Sequence, residues 1–319
     1  MSQASPADRV LAQIPPADQV ILAHFFKNFL LSGGEPLGFT LFGNKPMTLH
    51  ALYQYDAGTN TEKPMPDLLQ NTLTFLKYQP LFGNTNFVFK KIVKPFYHTL
   101  EKDPALCDLM MLNRTACLGV IGKNLPLFRA RFGPNATPQT ILKLLEATDS
   151  PRELLGDCML YGILFGFGTA NSQAYKRFTQ LVSFDILPKA TLNTPTPSHE
   201  VWITQGNRKV RYLAAPRAIP GPGFNTAQAE LDQLVQVFTG WPPENERDRS
   251  PIKAPVFRNL YHRPESQALT QSYRQQQAYI EQIYHRPDLL RLVTQQLLQP
   301  SPTLAQPAVT HTVTRQWVA

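Results

Sequence analysis

The stretch SPRELLGDCMLYGILFGFGTANSQAYKRF, residues 150–178, decides between two kinds of fold. Its Gly166-Phe167-Gly168 looks like the start of a phosphate-binding glycine turn, which needs a strand before it and a helix after it. The residues upstream argue for a helix instead. Ser150 and Glu153 flank Pro151 as in a capping box, where the hydroxyl accepts from the Glu153 amide and the carboxylate returns to the Ser150 amide. Leu154, Leu155, Cys158, Met159 and Gly162 then keep one face, so the spacing predicts a single helix from Pro151 to about Gly166. Asn171 stands where a third glycine would be, and no acid follows about twenty residues on in a recognisable strand. Gly162 and Gly166 therefore read as a small-residue face for close helix packing, and Gly168 as a break between two helices.

Outward from this segment the pattern stays mostly helical. Ile21, Leu22, Phe25, Phe26, Phe29 and Leu30 predict a helix over 18–31, stopped by Gly33 and Gly34. A second starts at Pro66 with Leu69, Leu73 and Leu76 on one stripe. Asn113 and Thr137 are candidate N-caps, and Asn225 opens a helix bearing Leu231, Leu234, Val235 and Phe238. Two more follow the repeated tetrapeptide YHRP at 261–264 and 284–287, each with an acid next, Glu265 or Asp288, suited to a helix N-terminus. NFVFKKIV (86–93) and CDLMML (107–112) read as strands, and the runs flanking Gly206-Asn207 as a hairpin over about 200–214. The fold class expected is α+β, predominantly helical, with a few short antiparallel strands.

Three regions are expected: a flexible N-terminus over 1–16, a globular part over 17–298, and a disordered Pro, Thr and Ala-rich tail over 299–319. Within the globular part, sub-boundaries suggest themselves near 185–199 and near 241–257, the latter a polar, proline-punctuated excursion or linker.

With 319 residues, 43% of them hydrophobic, the chain can bury a substantial core. The net charge of +8 favours anionic partners, yet only Lys90, Lys91 and Lys94, and Arg208, Lys209 and Arg211, form groups. A nucleic-acid binder would concentrate its cations on one face, so nucleic-acid binding ranks third among the functions considered, after an interaction protein and an enzyme. The three cysteines, Cys107, Cys117 and Cys158, read as buried thiols in a reducing compartment, with one bridge plus one free thiol as the alternative. No membrane span or signal peptide is visible, which leaves a cytoplasmic protein or one exported without a signal in this sequence. The histidines form no HExxH, HxH or Cys/His cluster, so no metal and no cofactor is expected.

A second candidate segment is GGEPLGFTLFGNKPMTLH, residues 33–50. It reads as an apolar strand between Gly38 and Gly43, then a turn at Asn44-Lys45-Pro46 that leaves Lys45 exposed. Backbone amides beside a lysine can hold an anion. Taken together, Phe39 to Pro46 and Gly162 to Asn171 resemble the paired signature of a family of uncharacterised proteins from intracellular and host-associated bacteria, with Ser172 departing from the usual small residue. The resemblance implies that Gly43, Lys45, Pro46, Gly166, Gly168 and Asn171 meet in the fold, as a site or as a packing node. It brings no activity.

The candidate binding residues are thus Gly43, Lys45, Gly166, Gly168, Asn171 and Arg177; no catalytic residue is assigned. The leading expectation is a non-enzymatic interaction or structural protein whose C-terminal helices and tail meet a protein partner. The alternative is a hydrolase or transferase for a phosphorylated or anionic small molecule, using Lys45, Asn171 and Arg177.

Overall fold

The computed structural model describes residues 4–31, 37–56, 61–83, 85–95, 102–182, 199–205, 208–214, 224–241, 250, 252, 254–260 and 262–300. The chain is predominantly helical with short antiparallel sheets. Its organising element is β5 (Lys102–Asn113), the centre of a three-stranded sheet in the order β1 (Met47–Ala51), β5, β4 (Phe87–Pro95). Successive side chains of a strand point to opposite faces. Cys107, Leu109 and Met111 accordingly enter one hydrophobic cluster, and Met110 and Leu112 another. Both faces are buried, which is why CDLMML is apolar apart from Asp108, itself buried.

The first cluster lies under α1 (Pro6–Leu11), α2 (Pro16–Leu31), α4 (Pro66–Tyr78), α12 (Pro264–Tyr284) and α13 (Leu289–Leu297). Its centre is aromatic: Phe25, Phe26, Phe29, Phe75, Phe82 and Phe89 are all buried. The second lies under α5 (Arg114–Lys123), α6 (Leu125–Phe132), α7 (Pro138–Ala147), α8 (Pro151–Leu155) and α9 (Cys158–Leu164). Beyond it α10 (Thr169–Val182) packs on α11 (Phe224–Val237), where Leu181 contacts Leu231 and Leu234.

The expected caps at Asn113 and Thr137 are present. Asn113 accepts from the Ala116 amide at 3.0 Å, and Thr137 forms a capping box with Thr140. The hairpin also stands as β6 (His199–Gln205) on β7 (Arg208–Ala214), with Gln205 opposite Arg208; Gly206 and Asn207 lie outside the described residues. So do Gly33, Gly34, the boundary region 185–198 and the tail from 301. Two further pairs, β2 (Tyr53–Asp56) with β3 (Thr61–Pro64) and β8 (Phe238–Trp241) with β9 (Phe257–Leu260), were not expected. The second pair closes the 241–257 excursion at its ends.

Several expectations are corrected. Residues 1–16 are not wholly a flexible lead: α1 is capped by a Ser5–Asp8 capping box and buries Ala7 and Val10. The segment Gly38–Leu41 is a helical turn, α3, because so short an apolar run fits a buried helix as well as a strand. The strand comes after the turn, as β1. Ser150 makes no capping bond; its amide instead donates to Thr148 Oγ1 at 3.0 Å. The helix beyond it breaks at Gly156, whose φ of 60° is left-handed, and Asp157 caps a new one by accepting from the Met159 amide at 2.8 Å. Cys158, in the first turn of that helix, is exposed, while Cys107 and Cys117 are buried; all three are thiols. Burial raises the Cys117 thiol far above its ordinary value, which leaves it inert.

Candidate functional site

The GFG segment is a helix ending. Phe165 follows the last residue of α9, and Gly166 adopts a φ of 77°. The Phe167 amide returns to the Gly162 carbonyl and the Gly166 amide to the Ile163 carbonyl, both at 3.0 Å. These are the paired bonds of a Schellman cap, with glycine at its left-handed position. Gly168, at φ 82°, then turns the chain into α10. Gly166 is therefore not on a continuous helix face. Gly162 alone carries close helix approach, since a Cβ there would come within 2.7 Å of Ser172 Oγ.

The two motif segments meet at Gly166. A Cβ on it would lie 3.3 Å from Pro46 and 3.4 Å from the Lys45 stem, and would collide with the Tyr273 hydroxyl. Tyr273 donates to the Gly166 carbonyl at 2.8 Å. Lys45 is 1% exposed, not the surface lysine expected, and its ammonium sits 5.2 Å from the Phe165 ring centroid and 5.9 Å from that of Phe167. A long apolar stem lets a lysine run through a core, which composition does not reveal. Gly43 packs against Gln276, whose Oε1 accepts from the Asn44 amide at 3.2 Å.

Asn171 is buried and fully engaged. Its Nδ2 donates to the Phe167 carbonyl at 2.9 Å and to Asn259 Oδ1 at 3.3 Å; its Oδ1 accepts from the Leu260 amide at 2.9 Å and from Ser266 Oγ at 2.8 Å. It ties α10 to β9 and to the first turn of α12. Arg177 lies apart, in a two-bonded fork with Glu230 of α11. That guanidinium holds the Glu230 carboxyl below its ordinary range. Lys45, Asn171 and Arg177 therefore do not converge.

Beside the junction a half-open cleft of about 450 Å³ is lined by Pro46, Gly166 and Gly168 from the two motifs, and by residues that the motifs do not contain. Lys123 and Asn124 come from the end of α5; Glu265, Ser272, Tyr273 and Gln276 come from α12. Thr169 joins the two sides: its hydroxyl donates to Asn124 Oδ1 at 2.7 Å and its amide to Glu265 Oε1 at 3.2 Å. The amide that an anion would meet at the start of α10 thus already serves an internal carboxylate. Glu265, Ser272 and Gln276 fall at helical spacing, the one sequence signal that could have found this wall.

Lys90 is also engaged, with its ammonium on the Ala147 and Thr148 carbonyls at 2.7 and 2.9 Å and on Asp149 at 2.8 Å, at the C-terminal end of α7. Among the described residues no group of three or more His, Cys, Asp or Glu is placed to hold a metal, and no helix is long and apolar enough to cross a membrane. Compared with protein-family models, curated proteins and solved structures, the chain matches none of them.

Proposed function

We propose that this protein acts by binding rather than by turnover, and that the cleft beside the two glycine motifs is where a small polar ligand is held. One observation carries this reading. The side chains that an anion-processing enzyme would need, Lys45, Asn171 and Arg177, are built into the fold, whereas Lys123, Ser272 and Gln276 line an open cleft of about 450 Å³. A volume of that order falls in the usual range for small-molecule sites. The motif residues then serve as the frame: Gly166, Tyr273 and Asn171 fix α10 and α12 against each other and so set the width of the cleft.

The resemblance to proteins of host-associated bacteria supports an interaction protein of that setting, and Gln276 of the glutamine-rich α12 lines the cleft. The test is a screen of melting temperature against a broad library of polar metabolites, run on the wild type and on Ser272→Trp, whose indole fills the cleft. Upward shifts in the wild type that vanish in the variant are expected. A library that moves neither protein, or moves both equally, overturns the cleft as the binding site.

A further inference from the structure

We propose that the ligand of this cleft is a zwitterion bearing an ammonium and a carboxylate, as a free amino acid or a short peptide does. The inference rests on the cleft reading above and adds the chemistry of its occupant. Two opposite charges face the same space without meeting each other. Glu265, in the first turn of α12, spends Oε1 on the Thr169 amide, and its second oxygen takes no bond from any described residue. Lys123, in the last turn of α5, makes no hydrogen bond or ion pair with a described residue.

Thr169 bonds to both walls of the cleft, through its hydroxyl to Asn124, the neighbour of Lys123, and through its amide to Glu265. A singly charged ligand satisfies one side and leaves the other as it was. A zwitterion satisfies both. Ser272, half-buried, also lines the cleft, with a hydroxyl that accepts from Gln276 Nε2 at 2.9 Å and keeps its own proton to donate.

The inference also explains why a carboxylate holds the start of α10. An anion attracted to that helix end finds Glu265 already in place, so the cleft rejects simple phosphates and keeps its remaining carboxylate oxygen for a cation.

Isothermal titration at low salt tests it with glycine, L-leucine, L-glutamate and trialanine as zwitterions, and with propionate, ethylamine and inorganic phosphate as singly signed probes. At least one zwitterion is expected to bind about tenfold or more tightly than either propionate or ethylamine, as befits loss of one charged hydrogen bond. Trialanine against the free amino acids separates peptide from amino acid. Glu265→Gln keeps an oxygen for the Thr169 amide, so the fold is preserved, and it should weaken the zwitterion about tenfold while leaving propionate unchanged. Lys123→Gln should do the reverse, sparing ethylamine. If propionate or phosphate binds as tightly as the best zwitterion and Glu265→Gln has no effect, the zwitterion is overturned and the cleft stands. If no probe gives heat and the metabolite screen is also silent, both fall.

Discussion

Around Phe75, the rings of Phe25, Phe26, Phe82 and Phe89 close in with centroids at 4.9, 5.3, 6.2 and 4.6 Å. Around Asn171, the neighbours are a carbonyl, an amide, a hydroxyl and a second asparagine, all within 3.3 Å. Both residues are buried, yet they are specified differently. Phe75 is held by contact area, which many partners share and which no single one decides. Asn171 is held by directional bonds, each with one partner and no substitute. The aromatic region should therefore accept another apolar side chain at modest cost, and the junction should accept almost nothing else.

The largest effect expected is from Phe75→Ala, which opens a cavity where four rings meet and should cost about 3–5 kcal/mol in denaturant unfolding. Phe75→Leu keeps most of the volume and should cost less than half as much. Equal losses from the two would show that ring geometry, not area, specifies this core.

Next comes Asn171→Ala, which leaves the Leu260 amide and the Ser266 hydroxyl buried without their partner and should cost about 2–4 kcal/mol. Asn171→Leu, a good match in size, should rescue none of it. Rescue by leucine would make the junction a matter of area as well, and the contrast with Phe75 would collapse.

How far each region could be read beforehand follows from the same contrast. Area leaves a trace in the sequence: the spacing of Leu22, Phe25, Phe26 and Phe29 marks α2, and the apolar run Leu109 to Leu112 marks β5, so the helical α+β class was legible. Directional bonds leave none. Nothing in the chain says that Asn171 meets Ser266, or that Tyr273 meets Gly166 across more than a hundred residues, and Lys45 looked like any surface lysine. The pairing of β8 and β9 was hidden because each strand is four residues long, too short for a period to register. The contact of Gly166 with Lys45 and Pro46 joins two segments 120 residues apart, and no local pattern announces it.

A smaller effect separates two caps. Asp157→Ala removes the bond to the Met159 amide and should cost about 0.5–2 kcal/mol. Ser150→Ala, despite the capping-box pattern, should stay within about 0.5 kcal/mol, because Ser150 caps nothing. A loss at Ser150 as large as at Asp157 would restore the cap expected from sequence.

The smallest effect concerns the tie between α10 and α11. The Arg177 guanidinium holds the Glu230 carboxyl below its ordinary 4.5, so the stabilisation is complete above that pH and fades as pH falls through the lowered value. Both side chains are more than a third exposed, which makes the contribution slight. Amide exchange in α11 should rise relative to α12 as pH is taken below 4.5, and Glu230→Gln should flatten that dependence. A wild-type profile identical to that of the variant would mean that the pair contributes nothing to docking α11.

One packing choice governs the order in which the chain can assemble. Helix α1 lies against α13, joined by Arg291 to Asp8 at 2.9 Å, and Val10 and Ile14 share a cluster with Leu289, Val293 and Leu297. On a ribosome, α1 must wait for a partner synthesised 283 residues later, counted from Asp8 to Arg291. Until α13 clears the exit tunnel, the phenylalanine-rich surface of α2 and α4 stays partly uncovered, an opportunity for aggregation or for a chaperone. Nascent chains released before residue 289 should therefore be captured by hydrophobic-surface chaperones, and those extending past 297 should escape them.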